Sequence, residues 1–219
     1  METHTIAATL HGRYLTSASA SGPAVGMLVG FHGQAETAAI EMAHLEEVRG
    51  ARPWLLVSVQ ALNRYYTRRG GVVAAWMTRE DRELIIEDNI AYVRAVVADV
   101  RSRIERVPAR LVYAGFSQGT AMAYRAAAFG GYPCDGLIIL AGDLSPDVRP
   151  HAATLPPVLL GRGSAEPWYT EDVAREDLGH LHAAGVLTVE HVFPDGHVRH
   201  ASFAARAGQF LDEIAGLEP

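Results

Sequence analysis

The chain has 219 residues, 49% of them hydrophobic and 20% charged, enough apolar material for one self-sufficient core and too much for a disordered or fibrous chain. A formal net charge of −6 with no Lys/Arg-rich run argues against nucleic acid as a partner. The start, Met1-Glu2-Thr3-His4, has no basic segment followed by an apolar one, and no run of about 18 apolar residues occurs, so neither secretion nor a membrane span is expected. The single cysteine, Cys134, has no partner for a disulfide or a zinc pair. It reads as a small, partly buried side chain in a cytoplasmic protein.

Residues 5–15 alternate loosely and contain Gly12, which predicts one or two antiparallel edge strands ending in a Ser/Ala/Gly linker at 17–23. The apolar run 25–31 reads as a strand and 35–49 as a helix closed by Gly50, with a second buried strand at 54–59. Residues 60–78, rich in Tyr, Arg and Gly, read as a long loop, and a loop of that length in a compact domain is usually functional. From 80 to about 106, Ile86, Ile90, Val93, Val97, Val100 and Ile104 step alternately by four and three, so they share one helical face, and Pro108 closes the helix. A strand at 110–116 then runs into a small-residue helix at 120–129. Short apolar strands follow at 136–141 and 157–160, each leading into a glycine-containing loop. A helix at 170–184, a strand at 187–193 and a last helix at 201–214, with Phe203, Phe210 and Leu211 on its apolar side, complete the chain. Strands alternating with helices predict a single α/β domain spanning 1–219 around a mostly parallel sheet, whose strand ends open on one side.

The candidate chemistry begins at Gly115-Phe116-Ser117-Gln118-Gly119. Small residues flanking a serine between a strand and a helix allow a turn tight enough to project the hydroxyl above the sheet, the nucleophile-elbow arrangement. The alternative is a turn whose serine only caps the helix. A serine hydroxyl needs a base, normally histidine, held in one tautomer by a carboxylate, and in this arrangement the chain order is Ser, acid, His. Five histidines follow Ser117 at a distance: His180 and His182 on a helix, His191 within a strand, and His197 and His200 after it. His197, in Pro194-Asp195-Gly196-His197, is the leading base, with His200 the alternative. Glu166, in the loop after the strand 157–160, is the leading acid, and Asp143 competes with it.

Two amide donors, those of Gln34 and Gln118, are candidates for an oxyanion hole. His32 reads as a loop-shaping residue. Tyr65, Tyr66, Trp76, Trp168 and Tyr169 are expected to overhang the site as a substrate pocket. No metal is expected, since no His-Glu-x-x-His helix or cysteine pair accompanies the histidines. No phosphate-cradling loop is present either.

Taken in order, Phe31-His32-Gly33, Gly115-Phe116-Ser117-Gln118-Gly119, Gly163-Ser164-Ala165-Glu166 and Gly196-His197 make the chain resemble the phospholipase/carboxylesterase family, which includes the acyl-protein thioesterases. The similarity covers most of the chain, and Trp76 and Asp81 before the long helix fit it too. The resemblance implies a compact α/β-hydrolase fold with helices on both faces of the sheet and no large cap, and no cofactor. The activity it implies is hydrolysis of carboxylic esters, thioesters or lysophospholipids. Two departures stand out: the family usually has Asp where Glu166 stands, and the segment 63–71, with Tyr65, Tyr66 and three arginines, is not its usual acyl-binding stretch. The expected protein is therefore a serine carboxylesterase acting on a small-molecule ester or thioester, as a monomer or homodimer. A thioesterase or lysophospholipase with the same three residues is the nearest alternative, and a non-catalytic ligand-binding module is the alternative of another class.

Overall fold

The computed structural model of the protein describes residues 1–19 and 22–217; Ala20 and Ser21 of the expected linker, together with Glu218 and Pro219, lie outside them. In chain order the elements are β1 (Arg13–Ser17), β2 (Gly26–Phe31), α1 (Ala38–Arg49), β3 (Trp54–Gln60), β4 (Asn63–Tyr66), β5 (Val72–Ala75), α2 (Arg82–Arg103) and β6 (Arg110–Phe116). There follow α3 (Gln118–Phe129), β7 (Gly136–Leu140), a 3-10 turn at Arg149–Thr154, β8 (Val158–Gly163), α4 (Glu171–Ala183), β9 (Thr188–Phe193) and α5 (Ala201–Ala215). Seven strands form one sheet in the order β1-β3-β2-β6-β7-β8-β9, every pair parallel except the antiparallel edge β1.

The strand sequences explain the layering. A parallel strand covered on both faces is apolar throughout, and β2, β3, β6 and β7 are buried along almost their whole length. Alternate residues feed two cores. Met27, Val29, Tyr113 and Ile139 pack with Val93, Val97 and Val100 of α2 and Met122 and Ala126 of α3. Leu28, Val112 and Leu140 pack on the other face with Leu45 and Val48 of α1 and Phe203, Ala207 and Phe210 of α5. Among the described residues no helix is long and apolar enough to cross a membrane.

Several boundaries depart from expectation. Of the one or two strands expected in 5–15, only β1 forms, and it starts at Arg13 because that is where pairing with Gln60 of β3 begins. The segment 60–78 is not a plain loop but carries the hairpin β4–β5, pinned to the main body by Glu36 against Ala74. Helix α2 ends at Arg103, with Ile104 already extended, several residues before Pro108. Its buried face runs through Asn89 and Val96, whereas Ile86, Ile90 and Ile104 are only partly covered. Strand β8 continues to Gly163, pairing Gly161 with His191 and Gly163 with Phe193, so the glycines expected in a loop are in the sheet.

Candidate active site

Five neighbouring strands of the parallel sheet, β2, β6, β7, β8 and β9, end on one side, and their C-terminal extensions carry the candidate residues. Ser117 directly follows β6 and takes φ 53°, ψ −122°, a conformation strained for any residue with a side chain. Its surroundings require the flanking glycines: a Cβ on Gly115 would lie 2.4 Å from the Gly119 carbonyl oxygen, and one on Gly119 would lie 2.0 Å from that of Phe31. The hydroxyl of Ser117 lies 2.9 Å from His197 Nε2, and His197 Nδ1 lies 2.9 Å from both Glu166 oxygens. A carboxylate only accepts, so Nδ1 carries the proton and Nε2 is left as acceptor for the serine O–H. The side chain of Glu166 is fully buried and also accepts from the Trp168 amide at 3.1 Å, which fixes its orientation toward the ring.

The His197 ring is clamped by Phe116, 4.9 Å away, and by the edge-on indole of Trp168 at 4.6 Å. Gly163 lets the loop come this close, since a Cβ there would lie 2.1 Å from the Asp195 carbonyl oxygen. His200, the alternative base, is instead the N-cap of α5 and stacks on Phe193. His191 pairs with the Ser202 hydroxyl. Asp143 reaches the cavity but has no hydrogen bond to His197 among the described residues. Burial pushes the Cys134 thiol up to about 12, which leaves no thiolate for chemistry. Among the described residues no group of three or more His, Cys, Asp or Glu is placed to hold a metal.

Gln34 and Gln118 flank Ser117 at the cavity. The Gln118 amide opens α3 and has no acceptor within the helix, and its side-chain oxygen accepts from the Trp76 amide at 2.7 Å. The Gln34 loop is braced from beneath. His32 donates from Nδ1 to the Gly33 carbonyl and accepts at Nε2 from the Ala61 amide, and burial lowers its pKa, so it is a neutral strut. The Trp76 indole donates to the His32 carbonyl at 2.9 Å.

The cavity has a volume of about 780 Å³. Trp168 and Tyr169 line it as expected, but Tyr65, Tyr66 and Trp76 do not. Tyr65 and Tyr66 point to solvent from β4, which has no packed face, and Trp76 is 0% exposed beneath the Gln34 loop. The lining also includes Met77, Arg82, Arg125 and Ser145, which sequence reasoning did not single out.

A second feature escaped the sequence. Arg199, two residues after His197, forks onto Glu36 at 2.6 and 2.8 Å and reaches Glu41 at 2.6 Å, with its guanidinium over the Phe116 ring. Glu36 in turn accepts from the Gly33 amide at 2.7 Å, so one arginine ties the His197 loop to the Gln34 loop. Burial alone would lift Glu36, but the hydrogen bonds and charge of Arg199 outweigh it and hold the carboxyl below its ordinary value. Glu41 lies deeper, and burial pushes it up against the same pull.

Arg199→Met leaves both carboxylates to burial, which is expected to cost about 3 kcal/mol at neutral pH. Both folded-state pKa values then lie above the ordinary 4.5, so the variant regains stability as the pH falls and these groups protonate. Urea unfolding of native and variant protein at pH 7 and near pH 4 checks this: a gap that fails to narrow on acidification contradicts the assignment.

No protein-family model matches the chain, and no curated protein matches it in sequence. Among solved structures it is similar to esterase PE8, at 25% identity and a TM-score of 0.75, with 94% of this chain and 100% of that one covered. It is similar to acyl-protein thioesterase 2 of Zea mays, at 22% identity and a TM-score of 0.70, covering 94% and 100%. A phospholipase/carboxylesterase of Dyadobacter fermentans aligns at 18% identity and a TM-score of 0.66, covering 95% and 98%. The chain has the α/β-hydrolase fold of these proteins, and they come from the group that its motifs resemble.

Proposed function

We propose that the protein is a serine hydrolase that cleaves carboxylic esters through an acyl-Ser117 intermediate. The observation that carries this reading is the unbroken chain of hydrogen bonds from the Ser117 hydroxyl through His197 to buried Glu166, each link 2.9 Å long. In the proposed cycle Ser117 Oγ attacks the acyl carbon while His197 Nε2 takes its proton, and the amides of Gln34 and Gln118 hold the negative oxygen. Collapse expels the alcohol, which leaves with the proton from Nε2. Water then attacks the acyl-serine with His197 again as base, releasing the carboxylic acid and restoring the serine.

The likeness to an esterase at 25% identity supports ester over other acyl substrates. The mixed lining, with Arg82, Thr120, Arg125, Asp143 and Ser145 among its residues, favours compact substrates over the long alkyl chains of lysophospholipids or acylated proteins. A binding module that had lost catalysis would be expected to lack one of the three residues, and none is missing.

A fluorophosphonate probe followed by peptide mapping tests the reading. Labelling is expected at Ser117 in the native protein and is expected to collapse in His197→Ala. A folded native protein that takes no label would overturn it.

A further inference from the structure

The floor of the cavity is one face of α3 together with the residue that caps it. Ser117, Ala121 and Arg125 follow at four-residue intervals and all line it, the spacing that stacks side chains on one helical face. Ala121 is small, so the trough between the hydroxyl and the guanidinium stays open. Arg125 is 1% exposed. Its Nε and Nη2 bind Asp147, each at 2.8 Å, while Nη1 meets the Met77 sulfur at 3.9 Å.

A guanidinium has five N–H donors and a thioether is a weak acceptor. Two donors go to Asp147, so three have no oxygen acceptor among the described residues, and the side chain that carries them walls the same cavity as Ser117. A buried cation at the cavity wall, with only the sulfur of the neighbouring lining residue Met77 on its Nη1, gains from an anionic oxygen that displaces that sulfur. Arg82 lines the cavity too and is close enough for its charge to act on Asp147, so this end holds two guanidiniums against one carboxylate. The one acidic residue of the described lining, Asp143, acts instead on Asp177 and Tyr169, on the α4 side.

We propose that Arg125, with Arg82 beside it, is the binding site for a carboxylate on the substrate, and that the preferred esters carry a free carboxylate remote from the scissile bond. The proposal rests on the serine-hydrolase reading of the same cavity. Eight residues of helix rise about 12 Å, and the arginine side chain leans back toward the helix N-terminus. The distance to be spanned is therefore roughly that of a half-ester of a five- or six-carbon dicarboxylic acid.

Two measurements test it. Calorimetric titration of glutarate into Ser117→Ala protein, which needs no turnover, is expected to show binding that pentanoate lacks. That binding is expected to vanish in a variant also carrying Arg125→Met and Asp147→Asn, which leaves no half-buried carboxylate unpaired. Ala121→Leu, which fills the trough without touching the ion pair, is expected to abolish it as well. In the native enzyme, kcat/KM is expected to favour p-nitrophenyl hemiglutarate over p-nitrophenyl pentanoate, or 4-carboxyphenyl butyrate over 4-carbamoylphenyl butyrate, by about tenfold or more. The pair that discriminates tells which half of the ester carries the charge. Glutarate binding no tighter than pentanoate, or binding that survives the loss of Arg125, overturns the proposal whether or not the protein turns over esters. Turnover of all four esters without discrimination overturns it while leaving the hydrolase reading intact. A protein that binds glutarate through Arg125 but hydrolyses none of them keeps the carboxylate site and sinks the catalytic reading.

Discussion

Ser117→Ala is expected to remove turnover of a chromogenic ester by about 10⁴-fold or more while leaving the fold in place. Alanine keeps a Cβ and the same strained turn, so only the hydroxyl between His197 and the cavity is lost. Ser117→Gly is expected to be equally inert and yet more stable by about 1 kcal/mol, because φ 53°, ψ −122° is a conformation that glycine adopts without penalty. Steady-state kinetics beside urea unfolding reads both effects. A variant that is inactive because it unfolds would show lower stability in both substitutions, and residual turnover near the native level in either would remove Ser117 from its proposed role.

The second large effect concerns the acid. Glu166→Gln is expected to lower kcat by about 10³- to 10⁴-fold. An amide can present N–H to Nδ1, which then has to accept, and this moves the histidine proton to Nε2, where it can no longer take one from serine. Asp143→Asn, which leaves that hydrogen bond untouched, is expected to change kcat by no more than about threefold. The comparison has to be made on kcat per labelled site, since Glu166 also accepts from the Trp168 amide and its loss loosens the loop. A larger loss in Asp143→Asn would reverse the assignment.

The parallel strands were legible because burial on both faces leaves an unbroken apolar run, as in β6, where residues 110–116 are both expected and observed. The elbow was legible for a related reason: glycine marks where backbone must pass close to backbone, and Gly115 and Gly119 both meet carbonyl oxygens. For the His197 loop the sequence points to Gly196, whose added Cβ would meet only the Ala165 carbonyl oxygen at 3.6 Å, whereas the close approach is made at Gly163. What could not be read is what depends on distant partners. The hairpin β4–β5 has no apolar alternation, and its strands are held by each other and by Glu36. Their place in a loop beside the site points Tyr65 and Tyr66 to the pocket wall, whereas the hairpin turns them outward. Arg125 was hidden for the opposite reason, since a charged residue in a small-residue helix gives no periodic sign of facing inward. The fork from Arg199 to Glu36 joins residues 163 apart, and the one hint was that arginine's nearness to His197 in the chain.

The same long separations bear on how the protein comes into being. The serine directly follows the sixth strand, but its base arrives only with the loop between β9 and α5, and the arginine that steadies both loops follows two residues later. A chain emerging from the ribosome folds from its N-terminal side, so it carries an elbow without a base until β9 and the loop after it have been made. On the proposed mechanism such a chain is chemically silent, and esters near the site of synthesis are not attacked by half-made copies. On that mechanism activity switches on in one step, when β9 docks against β8 and brings the His197 loop over the serine.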